Sequence, residues 1–364
     1  MIRHSYTLEV NAPSRYYKVI IGKDNVIKLQ DALDIFGVRS STIAIVCDSN
    51  VFDLYRESLE AVIGTVGASY YILPSGELTK SWDQAKLLLD WMLGTSLDRQ
   101  SVVVAIGGGV TTDLVGFCAS VYMRGISYIN VPTTLAAMVD AAIGGKTAIN
   151  FPAAKNVVGS FWQPAGVIID VSFLETLQVD QLRDGMAEVI KYALCFDPPL
   201  VEKLKDFSDV NISDNTYAYV DIIARCVEHK ANIVARDERE TEGLRSLLNF
   251  GHTVGHGIEA ATGYSVSHGF AVAVGMRAET RIGVMKNLTP QNCVGIVDDL
   301  LNRFLLGHIQ SYVDISNVIK AMYHDKKSVK RELLSVYLEN IGSARFPMRC
   351  SEDDIKQALK EVLD

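Results

Sequence analysis

Along roughly the first 180 residues, short apolar runs alternate with stretches whose apolar positions recur at helical spacing. The runs fall at residues 17–21, 42–46, 69–73, 101–106, 128–131 and 167–170, with 7–10 reading as a strand ahead of them. Short runs separated by helices predict a largely parallel sheet. Three of them end in loop residues rich in Gly, Asp or Ser, and carboxyl ends of strands are where ligands bind in such sheets. From about residue 180 the texture changes. Residues 180–194, 218–236, 246–261, 271–286 and 291–305 all fit helical periodicity, and 333–346 fits a short hairpin. The pattern predicts an α/β domain over 1–180 and a mostly α-helical domain over 181–364, with the boundary near 176–182. No low-complexity linker or internal repeat interrupts the chain, so the domains are expected to pack closely around a cleft.

Composition narrows the function classes. Hydrophobic residues make up 48% of the 364 and charged residues 21%, which suits a folded chain with a large core. No stretch reaches the roughly 18 consecutive apolar residues of a membrane span. The opening Met1-Ile2-Arg3-His4-Ser5-Tyr6 has no apolar signal core. Cys47, Cys118, Cys195, Cys226, Cys293 and Cys350 are scattered without a C-x-x-C pair. They read as reduced thiols of a cytoplasmic protein. A net charge of −8 without a basic tract argues against nucleic acid as a partner. An anionic substrate must therefore meet a local cluster of cations.

Three segments carry candidate chemistry. The run 102–106 leads into Gly107-Gly108-Gly109-Val110-Thr111-Thr112-Asp113, which reads as a buried strand, a glycine turn and a helix start. Glycine lets the backbone approach a phosphate, and the helix N-terminus offers N–H groups. Thr111 or Thr112 is expected to cap that helix. A second loop, Pro74-Ser75-Gly76-Glu77-Leu78-Thr79-Lys80, follows another strand. Asp48 and Asn50 sit where a ribose hydroxyl is held in nucleotide-binding sheets. Gly144-Gly145-Lys146-Thr147 is not a P-loop, because Asp140 stands where the first glycine is required.

Cations in apolar or glycine-flanked settings form the second group: Arg124, Lys146, Lys155 beside Asn156, and Lys191. Such charges are costly to bury unless an anion pairs with them. With Lys230, Arg245, Lys326 and Lys327 they suit a phosphate or carboxylate. The third segment runs from Asn249 to His268 and holds three of the seven histidines. His252 and His256 share a helix face at i, i+4, with glycines around them. Spacing alone nominates these two as metal ligands and leaves the carboxylate open among Glu188, Glu259 and others.

Taken in order, these motifs resemble the 3-dehydroquinate synthase family of sugar phosphate cyclases. The matching segments are Gly107-Gly108-Gly109-Val110 with Asp113, Tyr122-Met123-Arg124-Gly125, Val131-Pro132-Thr133-Thr134, and Gly144-Gly145-Lys146-Thr147 with Asn150. They continue through Lys155-Asn156 with Gly159, Met186 to Tyr192, Leu247 to His256, and Asp325-Lys326-Lys327.

The resemblance implies a Rossmann-like, dehydroquinate synthase-like fold and a different metal set: Glu188, His252 and His268 on zinc, or cobalt, with His256 facing substrate. It implies NAD held by Asp48, Asn50, Ser75, Gly76, Glu77, Lys80, Gly108, Gly109, Val110, Thr111, Thr112, Asp113, Thr133, Thr134, Lys146, Lys155, Phe173 and Thr176. The implied substrate is 3-deoxy-D-arabino-heptulosonate 7-phosphate. Arg124 from a second subunit of a homodimer, Lys146, Asn156 and Lys327, with Lys326 beside it, would hold phosphate. Lys230 and Arg245 would hold carboxylate and Asn249 a hydroxyl, with Lys155 and Lys191 completing the pocket.

The implied reaction is transient oxidation by NAD, phosphate elimination, reduction, and intramolecular aldol closure. Phe270, Ala154 and Thr112 depart from the family's usual residues, which are Glu after His-Gly and glycine at the other two. The rival expectations are a cyclase of sedoheptulose 7-phosphate or glucose 6-phosphate, a polyol or glycerol-phosphate dehydrogenase, and a non-catalytic NAD-binding protein. Lys230 and Arg245 favour a substrate with a carboxylate.

Overall fold

A computed structural model describes residues 5–40, 42–151, 154–207, 216–306, 309, 312–324 and 332–363. The expected sheet is present. Its strands are β1 (Tyr6–Ala12), β2 (Arg15–Gly22), β3 (Ile43–Asp48), β4 (Ser69–Leu73), β5 (Val102–Gly107) and β6 (Ser127–Pro132). Two strands that pair only with each other follow, β7 (Lys146–Phe151) and β8 (Ala154–Phe161), and then β9 (Gly166–Asp170) returns to the sheet. The order is β1-β2-β9-β6-β5-β3-β4. β1 and β2 form an antiparallel hairpin at one edge, and every other pairing is parallel. A parallel strand buried on both faces is apolar throughout rather than alternating. All six residues of β5 are accordingly buried.

β3 connects outward to β4, whereas β5 connects the other way to β6. The crevice beyond the carboxyl ends of β3 and β5 is therefore the sheet's topological switch point, the usual ligand position of such folds. The helices here are α1 (Leu29–Ile35), α2 (Ser49–Leu54), α3 (Arg56–Val66), α4 (Trp82–Gly94) and α5 (Gly109–Val121). Leu88 and Met92 of α4 and Leu114 and Phe117 of α5 pack with Val46, Val103 and Tyr128 in one buried cluster.

The helical part comprises α6 (Val179–Phe196), α7 (Pro198–Lys205), α9 (His252–Ala261), α10 (His268–Met285), α11 (Asn292–Arg303), α12 (Ile315–His324) and α13 (Glu352–Leu363), with α8 (Thr216–Arg236) intervening after α7. A hairpin of β10 (Leu333–Asn340) and β11 (Ser343–Cys350) completes it. Its core joins Val254 and Ile258 of α9 to Val274 and Ala278 of α10, Ile319 of α12 and Leu359 of α13.

The chain divides into two compact units, 1–178 with 211–239, and 179–210 with 240–364. The expected single division near residue 180 is thus crossed back once. α8 joins the first unit because it packs against β1 and β2 and lies beside the turn at Ala137–Ala141. Residues 246–261, expected as one helix, are two pieces. A short turn over Arg245–Asn249 stops, and α9 begins at His252. The break is Gly251 at φ +81°, a left-handed conformation that suits glycine.

Candidate active site

α9 and α10 approach so closely that glycine is required where they meet. A Cβ on Gly275 would lie 1.9 Å from the Gly251 carbonyl oxygen. One on Gly255 would lie 3.0 Å from the Val272 Cα. The fully buried Glu279 of α10 caps the start of α9: it accepts from the Gly251 N–H at 2.8 Å and the Val254 N–H at 3.3 Å. A carboxylate at a helix N-terminus satisfies donors that have no partner within the helix. α6 holds the start of α10 in a similar way. Asp184 accepts from the Ser267 hydroxyl at 2.5 Å and the Gly269 N–H at 2.7 Å. Gly269 admits this contact, since a Cβ there would sit 2.1 Å from the Asp184 carbonyl oxygen.

These tethers bring Glu188 of α6, His252 at the start of α9 and His268 at the start of α10 together. Donor atoms of the three lie within 4.8 Å of one another. Glu188 Oε1 is 3.3 Å from His252 Nε2 and 3.2 Å from His268 Nε2. Glu188 is 2% exposed, and its other oxygen lies against the Lys191 ammonium one turn on, itself 1% exposed. Burial works to raise the Glu188 carboxyl, but Lys191, then His252 and His268, hold it well below the usual range. Burial pushes His252 down to about 4 despite Glu188, leaving its imidazole neutral at pH 7. His268 is opposed by burial, yet Glu188 and Glu259 raise it well above its ordinary value.

The second nitrogen of each ring is also engaged. His252 Nδ1 lies 3.2 Å from the Phe250 carbonyl oxygen, and His268 Nδ1 lies 3.1 Å from Glu259 Oε2. With Nδ1–H donated to these acceptors, Nε2 is the nitrogen of each ring left for a cation, once any proton it carries has gone. One carboxylate and two such imidazoles are a donor set suited to a catalytic divalent cation. His256, the i+4 partner that spacing nominated, has its ring 5.4 Å from that of His252 and 6.0 Å from that of His268. It joins a second possible set, with Glu259 and His268. That set draws on Glu259, whose Oε2 is already engaged by His268 Nδ1.

The first unit gathers the other candidates at the switch point. Asp48, ending β3, caps α2 by accepting from the Asn50 N–H at 2.9 Å, and also accepts from the Ser75 hydroxyl at 3.0 Å. The loops after β3 and β4 are thereby joined, next to Gly76 at φ +99° and Glu77. After β5, Gly108 stands at the N-cap of α5 without a side-chain cap. Thr111 and Thr112 are buried inside the helix rather than capping it, and the Thr112 hydroxyl turns back to the Gly109 carbonyl at 3.2 Å. Thr134 closes over the turn, since a Cβ on Gly108 would lie 3.1 Å from its methyl; Thr133 N–H bonds the Gly107 carbonyl at 3.0 Å.

Lys80, 5% exposed, donates to Asp113 and to Asn156 Oδ1, each at 2.5 Å. Burial raises the Asp113 carboxyl against the pull of Lys80. Lys155 lies 3.9 Å from Glu77, which accepts from Asn150 at 2.7 Å. Phe173 is buried edge-on to Tyr55, whose hydroxyl lies 3.0 Å from that of Thr176.

The remaining cations divide. Lys230 of α8 is buried and donates to the Asp140 carbonyl at 2.6 Å and carboxylate at 2.8 Å. Arg245 is 2% exposed in the second unit, and the amide of Asn249 reaches Glu240 at 3.4 Å. Lys146 is exposed at the start of β7; Arg124 is exposed at φ +68°, beside Met123 at φ +50°. Lys326 and Lys327 lie outside the described residues.

Sequence reasoning passed over Asp140, Asp184, Glu279 and the role of Glu259. Asp140 lies in a π-helical turn, Ala137–Ala141, a local irregularity frequent at functional sites. Apolar periodicity does not register such a turn.

A model described as 3-dehydroquinate synthase N-terminal matches residues 70–184, and one described as 3-dehydroquinate synthase C-terminal matches 185–328. A 3-dehydroquinate synthase of Thermodesulfovibrio yellowstonii is 37% identical over 97% of this chain and 99% of its own. That of Acidithiobacillus ferrooxidans is 42% identical over 71% of this chain and 70% of its own.

Among solved structures, a 2-deoxy-scyllo-inosose synthase complexed with carbaglucose-6-phosphate, NAD+ and Co2+ superposes with a TM-score of 0.89 at 26% identity. It covers 98% of this chain and all of that one. A 2-epi-5-epi-valiolone synthase from Streptomyces hygroscopicus, bound to NAD+ and Zn2+, gives 0.84 at 28% identity over 95% and 96%. An iron-containing alcohol dehydrogenase, at 15% identity and 0.64 over 95% and 97%, shares the fold. With its two matched regions spanning most of its length and a curated relative aligning over 97% of it, this chain belongs to the 3-dehydroquinate synthase family.

Proposed function

We propose that the protein is a 3-dehydroquinate synthase, a phosphate-eliminating carbon–oxygen lyase of the shikimate route to aromatic amino acids. Its substrate would be 3-deoxy-D-arabino-heptulosonate 7-phosphate, and it would depend on NAD and a divalent metal, zinc or cobalt. The observation that carries this reading is the convergence of Glu188, His252 and His268 in a chain of this family. Bound, NAD supplies reversible hydride acceptance and the metal supplies Lewis-acid polarisation of a substrate oxygen.

The chain's own residues do the rest. Lys191 keeps Glu188 ionised as a donor, and His252 and His268 present Nε2 to the same point. His256, one turn along α9, is left to face substrate. The Gly108–Asp113 turn, with Ser75, Gly76, Glu77, Lys80, Thr133 and Thr134, cradles the dinucleotide in the first unit. Asp48 and Asn50 serve the ribose, and Phe173 and Thr176 line that region. Arg124, Lys146, Asn156, Lys326 and Lys327 bind phosphate, and Lys155 and Lys191 complete the pocket. Lys230 and Arg245 bind carboxylate and Asn249 a hydroxyl. Asp140 fixes the Lys230 ammonium, so the cation is oriented before substrate arrives.

The test is phosphate release from the heptulosonate with catalytic NAD, before and after chelation. We expect release without net NADH, abolished by chelator and restored by zinc. Net NADH formation would indicate a dehydrogenase. The likeness to 2-deoxy-scyllo-inosose and valiolone synthases supports a second reading, a cyclase of a sugar phosphate that lacks a carboxylate. Faster turnover of glucose 6-phosphate or sedoheptulose 7-phosphate would favour it.

A homodimer is part of the proposal, with Arg124 completing the neighbouring site. It is supported by the strained Met123–Arg124 turn and by the exposed Val121, Met123, Val157 and Phe161. Restored activity on mixing an Arg124→Ala chain with a His252→Ala chain would demonstrate it. Cytoplasmic residence is supported by six cysteines without a disulfide. Among the described residues no helix is long and apolar enough to cross a membrane.

A further inference from the structure

We infer that Glu259 is a positioning residue for His268 and sets the affinity of the metal site; this rests on the reading of Glu188, His252 and His268 as metal donors. The His268 side chain is 38% exposed, so packing alone does not fix its ring. Besides Glu188 at Nε2, two contacts hold it. Asp184 fixes the backbone through the Gly269 N–H, and Glu259 Oε2 engages Nδ1 at 3.1 Å. Phe270, two residues on, turns away into the apolar cluster with Val254 and Ile258.

Glu259 is 7% exposed and follows His252 and His256 on α9 by two turns and one turn. A single helix thus supplies one donor directly and holds the ring of another. A carboxylate accepting Nδ1–H reserves Nε2 for a metal, holds that nitrogen toward Glu188, and raises the imidazole's basicity. Partners of this kind typically change metal affinity by about 10–100-fold.

The inference is tested on the full chain by titrating Co2+ into metal-free protein, following the visible absorption of the bound ion, with a chelator competition for Zn2+. We expect Glu259→Ala to bind roughly 10–100-fold more weakly. Glu259→Gln, which keeps an acceptor oxygen, should recover part of that loss. The Co2+ spectrum should change in both variants. A purely structural carboxylate would lower the melting temperature of the metal-free protein and leave affinity and spectrum alone, which would overturn the inference.

If Glu259→Ala does not fold, the glutamine variant carries the same comparison. His252→Ala is the control for the underlying reading. Wild-type metal affinity in that variant would overturn the metal site itself. If instead Glu259→Ala loses metal completely while Glu188→Gln retains it, the ion sits among His256, Glu259 and His268. Glu259 would then be a ligand rather than a positioning residue.

Discussion

His252 and His268, the two proposed donor histidines, differ in protonation although they face the same carboxylate. Burial holds His252 down to about 4, whereas Glu188 and Glu259 hold His268 well above 6.5. A metal takes a deprotonated nitrogen, so its binding displaces whatever proton Nε2 carries. At pH 7, His252 has none to lose and His268 has one. Metal uptake is therefore expected to release about one proton, read by calorimetry in buffers of different ionisation enthalpy. Release of two would contradict the neutral His252, and release of none the protonated His268.

Affinity should rise with pH up to the raised folded value of His268, where its proton is lost, and feel no competition from His252 until pH falls near 4. In the metal-free chain the two act oppositely on stability. The contribution of His268 is present below 6.5 and fades as pH rises through its folded value. That of His252 is present above 6.5 and fades as pH falls toward 4.

At the scale of elements, the site depends on how α9 and α10 meet. Gly275→Ala would push a methyl into the Gly251 carbonyl, a backbone atom that cannot turn aside. Overpacking of a dense core typically costs about 1–3 kcal/mol and occasionally more, and this backbone clash belongs at the upper end. A lower urea midpoint, with metal affinity reduced in parallel, is the expected outcome; an unchanged midpoint would show that the helices separate freely. Glu279→Gln keeps one acceptor oxygen but sets an NH2 against one of the α9 donors. It should cost about 1–3 kcal/mol, read from the same midpoint.

Neither effect was legible beforehand. Apolar spacing runs smoothly through residues 246–261 and marks one helix. The interruption is written in the φ of Gly251 and the partner supplied by Glu279, twenty-eight residues later. The strands of the sheet were legible because burial on both faces leaves unbroken apolar runs. The β7–β8 hairpin was not, since it pairs with itself and keeps Lys146, Phe151, Val157 and Phe161 exposed. Of the proposed metal donors, spacing nominated His252 together with His256 and left Glu188 as one of several open carboxylates. His268 came from family likeness, because the approach of α6 to the start of α10 depends on Gly269 and Asp184 rather than on periodicity.

For the whole molecule, the proposed metal donors and the proposed cofactor loops belong to different units. Glu188, His252, His268 and Glu259 all belong to 179–210 with 240–364, whereas the loops after β3, β4 and β5 belong to 1–178 with 211–239. A ligand that binds the folded form stabilises what it binds by RT ln(1 + [L]/Kd), about 2.7 kcal/mol at a hundredfold excess over Kd. Amides that exchange by opening the bound region should then slow by roughly 100-fold. Hydrogen exchange followed by mass spectrometry should accordingly separate the two ligands. Zinc alone is expected to protect α6 and the starts of α9 and α10. NAD alone is expected to protect the Gly107–Asp113 turn and the loops bearing Asp48 and Ser75. His252→Ala should remove the first pattern and keep the second. Zinc protection confined to the glycine turn, or NAD protection confined to α9 and α10, would overturn the assignment of cofactor and metal to separate units.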